Sequence, residues 1–250
     1  MHHHADPDRQ SFPTQLFTAV PSRSFFPRGF LWDEGFHQLL LHKWDLSLTY
    51  DVVLHWLGQM HAHADCAEMG WIPREIALGE QAVRRIPKEF LPQDVSLANP
   101  PTFLLTLERV IALDLEASAS QEQQQQQQQC EASDSRVDFL RSIQARLDMW
   151  VRWLLSSQRG PIPGSFRWRG RGDPGEKLMA TTFASGLDDY PRASEPGEEE
   201  YHVDLLCWVL KGCQILARLA AVVEPGGEAS RRYATVAEEL LVGSGSGSCV

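Results

Sequence analysis

The sequence predicts an all-α fold, and three observations lead to that prediction. About six segments repeat apolar residues at three- and four-residue steps, the spacing that gives a helix one apolar face. Short turns alternate with long loops between these segments, and none of the segments carries the signals of paired strands. Helix pairs whose long loops gather on one side are typical of an α-helical toroid, and six helices would form half of a twelve-helix toroid.

The first two predicted helices cover residues 34–44 and 46–63. Pro27 and Gly29 interrupt any helix before them, so a structured loop is expected there. Asp33 is placed as the N-cap of the first helix, where a carboxylate accepts free backbone N–H groups. The second helix has an apolar stripe formed by Val52, Val53, Trp56, Leu57 and Met60.

The later helices follow a long stretch, residues 64–100, in which little regular periodicity is visible. Its apolar side chains nevertheless argue against disorder. A helix opens after residues 99–102, with a proline near its first turn, and its apolar face ends near Leu115. Three more helices are predicted, at residues 136–157, 202–222 and 228–241.

Composition sets the domain boundaries. Residues 1–14 are polar and expected to be irregular, and residues 15–242 form the helical domain. Within it, residues 116–135 contain a glutamine run and are expected to be a solvated insertion between helices with no catalytic role. Residues 243–250 have the glycine and serine composition of a flexible tail.

The charge and apolar pattern exclude several classes of partner. The 250 residues carry a net charge of -10, which argues against nucleic acid or an anionic membrane as the main partner. No run of eighteen apolar residues is present, so no membrane span is expected in this chain. The five cysteines are scattered without a CxxC pair, so no disulfide framework is predicted.

The stretch around which the chain is organised is residues 25–37. It carries five Phe and Trp rings, the adjacent carboxylates Asp33 and Glu34, and the side chains of Arg28 and His37. Flat rings can stack on the apolar faces of sugars, while carboxylates and arginine bind hydroxyls at the sugar edge. The stretch is therefore a candidate sugar site; the alternative is a capped helix behind an aromatic core loop.

Two further loops carry acids and arginines. Glu75 and Glu80 lie close in sequence to arginines, and a purely structural, salt-bridged loop is the alternative there. In the third loop, a tight turn presents Asp188 and Asp189 side by side. Adjacent carboxylates repel each other, which raises the pKa of one and suits a general acid. The alternative is a capped turn with an ordinary ion pair to Arg192.

Other chemistries lack their motifs in this sequence. Ser185 has no nucleophile-elbow context, and no phosphate-binding glycine loop is present. His61 and His63 are two residues apart, which is a poor spacing for a helical metal site. Hydrolysis by paired carboxylates remains, with no metal and no cofactor expected.

At these loops the sequence resembles glycoside hydrolase family 63, the processing α-glucosidases. The two longest matching blocks are Phe25-Phe-Pro-Arg-Gly-Phe-Leu-Trp-Asp-Glu-Gly-Phe-His37, which the similarity extends back to residue 21, and Ser185-Gly-Leu-Asp-Asp-Tyr-Pro-Arg-Ala-Ser194. Shorter blocks are residues 70–75, 79–80, 86–90, 99–102, 166–170 and 202–205. All occur in the family's order.

The resemblance implies a fold, a reaction and a place in the cell. The fold would be the first half of an (α/α)6 catalytic domain. The reaction would be that of a mannosyl-oligosaccharide glucosidase: removal, with inversion and without metal, of the terminal α-1,2-linked glucose from the Glc3Man9GlcNAc2 N-glycan precursor on nascent glycoproteins. The place would be the lumen of the endoplasmic reticulum, where family members are membrane-anchored.

The resemblance also assigns roles to residues. Asp188, in the turn that follows Ser185 and Gly186, would be the general acid. Asp33 would bind hydroxyls of the cleaved glucose. The remaining substrate-binding or loop-supporting positions would be Phe26, Arg28, Trp32, Trp71, Glu75, Glu80, Asp189 and Arg192.

The chain departs from the family pattern in ways that bear on activity. The family's general base is a Glu in a Trp-Glu-Gln-Tyr-like segment, and nothing here matches it. Residues 66–69 interrupt a run that is continuous in the family, which places an insertion beside a pocket loop. We therefore expect this chain alone to be inactive or nearly so. The alternatives are a non-catalytic glycan-binding fragment and a trehalase-like hydrolase of the same clan.

Overall fold

Helices dominate the fold, as the sequence predicts. A computed structural model describes residues 15–62, 68–88, 91, 93–120, 126–172, 179–192, 197 and 199–245. In that part of the chain the helices are α1 (Leu31–Leu41), α2 (Leu46–Gly58), α3 (Glu80–Val83), α4 (Phe103–Ser120), α5 (Gln126–Ser157), α6 (Val203–Val223) and α7 (Glu228–Gly245). The predicted irregular segment 1–14 lies outside the described residues.

The core lies between α4, α5 and α6. Helix α4 packs against α1, α5 and α6, while α6 also packs against α5 and α7. Leucines with no exposed surface meet there, among them Leu107, Leu147 and Leu205. The all-α prediction is confirmed, and the toroidal arrangement of the helices stays a prediction.

The start of α1 differs from the prediction. The helix begins at Leu31, with Phe30 at the N-cap and no side-chain cap, so Asp33 lies in the first turn rather than at its start. The reason is tertiary. The Leu31 N–H donates to the Arg74 carbonyl over 2.9 Å, and the Trp32 N–H donates to Asn99 Oδ1 over 3.1 Å. These distant acceptors satisfy the first donors of the helix, so no local cap is needed.

A short ladder was not expected from the sequence. Strand β1 (Gly29–Phe30) pairs antiparallel with β2 (Glu75–Ile76), so that Gly29 faces Ile76 and Phe30 faces Glu75. Two residues a side are too few to show the alternation by which strands are recognised. The ladder nevertheless joins the first two predicted site loops directly in front of α1.

The glutamine-rich segment is more helical than predicted. Helix α4 continues to Ser120 and α5 starts at Gln126, so only residues 121–125 separate the two helices and those lie outside the described residues. Glutamine and alanine are good helix formers, and a polar, repetitive composition does not prevent helix formation. The predicted tail is also shorter, because α7 extends to Gly245.

Helix α6 is long and apolar enough to cross a membrane by length and composition alone. The sequence shows no uninterrupted apolar run there, because Asp204, Lys211 and Arg218 lie within the helix. Its buried residues include Leu205 and Leu219, and it packs against three helices. This packing is typical of the core helix of a folded domain.

Candidate functional site

The site is built around the N-terminus of α1. The two tertiary acceptors there, the Arg74 carbonyl and Asn99 Oδ1, come from the two segments that follow α2. The loop before α6 joins them, since Asn99 Nδ2 donates to the Ala184 carbonyl over 3.1 Å. The first turn of α1, which contains Asp33, is therefore in contact with each of the loops predicted to carry chemistry.

A cleft of about 340 Å³ lies where these loops meet. It is lined by Pro21, Phe26, Arg28, Phe30, Trp32, Asp33, Arg74, Glu75, Asn99, Phe183, Gly186 and Asp188. Six of the ten predicted site residues are among them, and they include both Asp33 and Asp188. Its volume is within the range usual for small-ligand pockets.

Two cleft carboxyl groups have a raised pKa. Burial raises the pKa of Asp33, and the negative charge of Asp188 adds to that effect; the backbone N–H of Asp33 and the imidazole of His37 oppose it. Asp188 lines the cleft although the residue as a whole is exposed. Burial is again the main cause of its raised pKa, with Arg74 opposing and Asp189 and Glu75 contributing. The predicted repulsion from Asp189 therefore exists but is secondary to burial.

Glu75 is held between two arginines. Arg28 Nε lies 2.6 Å from one of its carboxylate oxygens, and Arg74 Nη2 lies 2.7 Å from the other. The side chains of Glu75 and Arg28 are only 11% and 8% exposed, so the group is shielded from water. This triad fixes Arg74 beside Asp188, where its charge opposes the rise in the pKa of Asp188.

Aromatic rings form the apolar walls of the cleft. The Arg28 guanidinium lies over the Phe30 ring, 4.6 Å from its centroid, and Phe26 meets Phe30 edge to face. Phe26 and Phe183 are 49% and 54% exposed, which leaves ring surface open to a ligand. Rings beside carboxylates and guanidinium groups are a combination that suits a sugar.

Four predicted site residues lie outside the cleft lining. Trp71 is buried in the core, and its Nε1 donates to the Leu97 carbonyl over 2.9 Å. Glu80 is 83% exposed and pairs with Arg84 on the surface, and Asp189 is exposed beyond the turn. Arg192 pairs with Asp204 at the start of α6 over 2.6 Å, so it anchors the third loop to that helix. None of these four side chains lines the cleft.

Glu34 serves the fold rather than the cleft. It is fully buried and accepts hydrogen bonds from the Thr18 hydroxyl at 2.8 Å and the Ala19 N–H at 3.0 Å. It therefore holds the segment before β1 against α1. Of the adjacent pair Asp33 and Glu34, only Asp33 lines the cleft.

Sequence reasoning missed several cleft residues. The sequence pattern indicates Arg74 only as one of the arginines near Glu75, and Asn99 only as part of the sequence that opens α4. Phe30 and Phe183 also line the cleft, and only the first belongs to the aromatic-rich stretch. Asn99 offered a signal, since a polar residue directly before two prolines cannot belong to the helix that follows.

Most of the eight tryptophans belong to the core rather than to the cleft. Five of the eight, Trp56, Trp71, Trp150, Trp153 and Trp168, are buried in the core. Only Trp32 among the tryptophans lines the cleft.

Within the described part of the chain, no three His, Cys, Asp or Glu side chains are grouped to hold a metal ion.

Comparisons with known proteins show the family to which the chain belongs. Residues 2–243 match the glycosyl hydrolase family 63 C-terminal domain. The chain is 46% identical over 200 residues to a protein from Arabidopsis thaliana named mannosyl-oligosaccharide glucosidase GCS1. These aligned residues cover 79% of the chain and 22% of that relative. It is 45% identical over 200 residues to Alpha-glucosidase 2 of the same organism, covering 79% of the chain and 23% of that protein.

A more distant relative extends the comparison. The mannosyl-oligosaccharide glucosidase of Saccharomyces cerevisiae is 30% identical over 265 residues, which cover 93% of the chain and 30% of the yeast protein. The chain thus spans between 22% and 30% of the length of these relatives. Because the family match covers nearly the whole sequence, the chain belongs to glycosyl hydrolase family 63.

Proposed function

We propose that this chain forms the part of an inverting α-glucosidase that binds the terminal glucose and supplies the general acid. The observation that supports the proposal most is the cleft shared by Asp33 and Asp188, walled by exposed aromatic rings. A pocket with convergent polar groups and perturbed carboxyl groups is the usual setting for a hydrolytic site.

The proposed acid is Asp188. Its raised pKa favours the protonated carboxyl, which can donate a proton to the glycosidic oxygen as the bond to the sugar breaks. Asp33, in the first turn of α1, accepts hydroxyl hydrogen bonds from the glucose. Trp32 and Phe26 contact its apolar face, and Arg28 aligns Glu75 at its edge.

Inversion also needs a second carboxylate about 6.5–9.5 Å from the acid to activate a water molecule. Among the described residues, the carboxylates that line the cleft are Asp33, Glu75 and Asp188. Both oxygens of Glu75 are engaged by arginines, and Asp33 is assigned to the sugar. None of these three is thus left to act as the base, and we propose that this chain alone releases glucose very slowly.

The substrate proposal follows the names of the relatives. A protein named mannosyl-oligosaccharide glucosidase acts on a mannose-containing oligosaccharide, and two of the compared proteins carry that name. We extend it to this chain as the α-1,2-linked terminal glucose of the N-glycan precursor, processed in the lumen of the endoplasmic reticulum. The four predicted site residues outside the cleft lining then support the loops around the cleft and do not contact the glucose. These are Trp71, Glu80, Asp189 and Arg192.

Binding of kojibiose, the α-1,2-linked glucose disaccharide, tests the sugar site. Titration calorimetry should detect binding to the purified chain. Asp33→Asn removes a charged acceptor worth roughly 1.5–3 kcal/mol and should weaken binding by about ten- to a hundredfold. Asp188→Asn should change it only a few-fold, and Glu80→Gln, on the exposed surface, should not change it. Equal binding by wild type and Asp33→Asn would contradict the proposed site.

A second reading, a non-catalytic glycan-binding module, is favoured by the occupied state of Glu75. Chemical rescue separates the two. Azide can attack the sugar carbon in place of an activated water while Asp188 protonates the departing oxygen. If the chain is the acid half of an enzyme, azide should produce glucosyl azide from kojibiose in wild type and not in Asp188→Asn. Binding without any Asp188-dependent product would identify the module.

A further inference from the structure

Asn99 makes two hydrogen bonds that link the carriers of the two proposed site carboxylates. Its side chain lies in the cleft lining, yet the residue is only 5% exposed. Oδ1 accepts from the Trp32 N–H and Nδ2 donates to the Ala184 carbonyl, each over 3.1 Å. Trp32 directly precedes Asp33, and Ala184 is four residues before Asp188.

The orientation of the amide follows from its partners. A backbone N–H can only donate and a carbonyl can only accept, so Oδ1 must face Trp32 and Nδ2 must face Ala184. The Trp32 N–H belongs to the first turn of α1, where no local side chain caps the helix, so Asn99 supplies the acceptor that the helix itself lacks. The Asn99 amide thus serves as acceptor and donor at the same time.

We propose that Asn99 is a positioning residue that sets the separation of Asp33 and Asp188, by tying the first turn of α1 to the turn that carries Asp188. The inference rests on the proposed function for its catalytic meaning, but its structural content can be tested without any sugar.

Close packing at the same point supports this role. Gly186, in the same turn as Ala184, has φ +74° and lies against the Trp32 ring, where an added Cβ would be 2.9 Å from Cε2. The turn therefore packs against the Trp32 ring through Gly186 and accepts a hydrogen bond from Asn99 at the Ala184 carbonyl. If the Asn99 link is lost, the turn keeps its attachments to Arg169 and α6 but loses the side-chain hydrogen bond that holds it towards α1, so water can enter beneath Asp188.

The consequence for Asp188 has a definite sign. Burial is the main cause of its raised pKa; the groups that face it are Arg74, which lowers the pKa, and Asp189 and Glu75, which raise it. Hydration of the turn removes the largest of these effects. The pKa of Asp188 in Asn99→Ala should therefore fall towards its ordinary value of 3.8.

The experiment is a pH titration followed by NMR of the chain labelled at the aspartate carboxyl carbons. Tyr233→Phe is the matched control, because it removes a partly buried hydrogen bond to Asp148 in another part of the fold. Both variants should lower the melting temperature, but only Asn99→Ala should lower the pKa of Asp188. An unchanged Asp188 titration in folded Asn99→Ala, or an equal fall in Tyr233→Phe, would overturn the proposal.

Two additions keep the test decisive. Asn99→Ser carries the same expectation, since a serine hydroxyl is too short to reach both partners, and it is to be used if the alanine variant does not fold. In the wild-type chain, the Trp32 amide should exchange slowly with solvent, and fast exchange would also overturn the proposal. Because neither readout involves a ligand, a failed kojibiose titration would count against the proposed function and leave the Asn99 link standing.

Discussion

The ion-pair triad offers the sharpest stability prediction. Glu75→Gln keeps the size of the side chain and removes the charge that lies between Arg28 and Arg74. The Glu75 side chain is 11% exposed, and those of Arg28 and Arg74 are 8% and 22% exposed. Removing one partner of a buried ion pair costs about 3–5 kcal/mol, because the other charge stays buried without compensation.

We expect the lower end of that range. Arg74 is partly hydrated, and the glutamine oxygen can still accept one hydrogen bond, so the loss should be about 3 kcal/mol. For a domain of this size, about 1 kcal/mol corresponds to roughly 2–4 °C, so the melting temperature should fall by roughly 6–12 °C. Urea unfolding followed by circular dichroism gives the free energy of unfolding directly.

Glu80→Gln is the matched control for this measurement. It makes the same change in a surface pair whose side chains are 83% and 78% exposed, and such pairs contribute about 0.5 kcal/mol or less. The pKa of Asp188 should also fall in Glu75→Gln, because Glu75 raises it and Arg74 opposes the rise. Equal losses of stability in the two variants would refute the buried character of the triad.

Two other predictions concern the cleft. Asp33→Asn should be more stable than wild type at neutral pH, because the raised pKa of Asp33 means that ionisation costs the folded state free energy as the pH rises above 3.8. The difference should vanish below pH 3.8, as urea unfolding at both pH values can show. Gly186→Ala should cost more than Gly164→Ala: both have positive φ, at +74° and +77°, but only Gly186 lies against Trp32, whereas Gly164 faces open space. Thermal unfolding of the two variants measures the excess, and similar melting temperatures would show that the turn does not rest on the ring.

The sequence could predict the helices because their apolar faces are long and periodic. It could also single out residues 25–37 and the turn at Asp188 as candidates, since both blocks combine acids with aromatic rings or tight turns. Side chains from both blocks line the cleft. The predicted start of α1 was wrong because the first N–H groups of the helix donate to Arg74 and Asn99, which are more than forty residues away. Local capping rules contain no information about such partners.

Other errors have equally physical origins. A β ladder of two residues a side is too short to leave a periodic pattern, so the link between Phe30 and Glu75 was missed. The resemblance names Trp71 among the substrate-binding or loop-supporting positions, but its side chain is buried in the core, where Nε1 donates to the Leu97 carbonyl. The helical extensions of α4 and α5 were missed because a polar repeat has no apolar face by which a helix can be recognised.

The central claim is that Asp33 and Asp188 act in one cleft, and their mutual influence on titration tests it most directly. The charge of Asp188 contributes to the raised pKa of Asp33. In Asp188→Asn, NMR titration of the aspartate carboxyl carbons should therefore show a lower pKa for Asp33, while Asp189→Asn should leave it unchanged. An Asp33 pKa that is the same in wild type and Asp188→Asn would contradict the account.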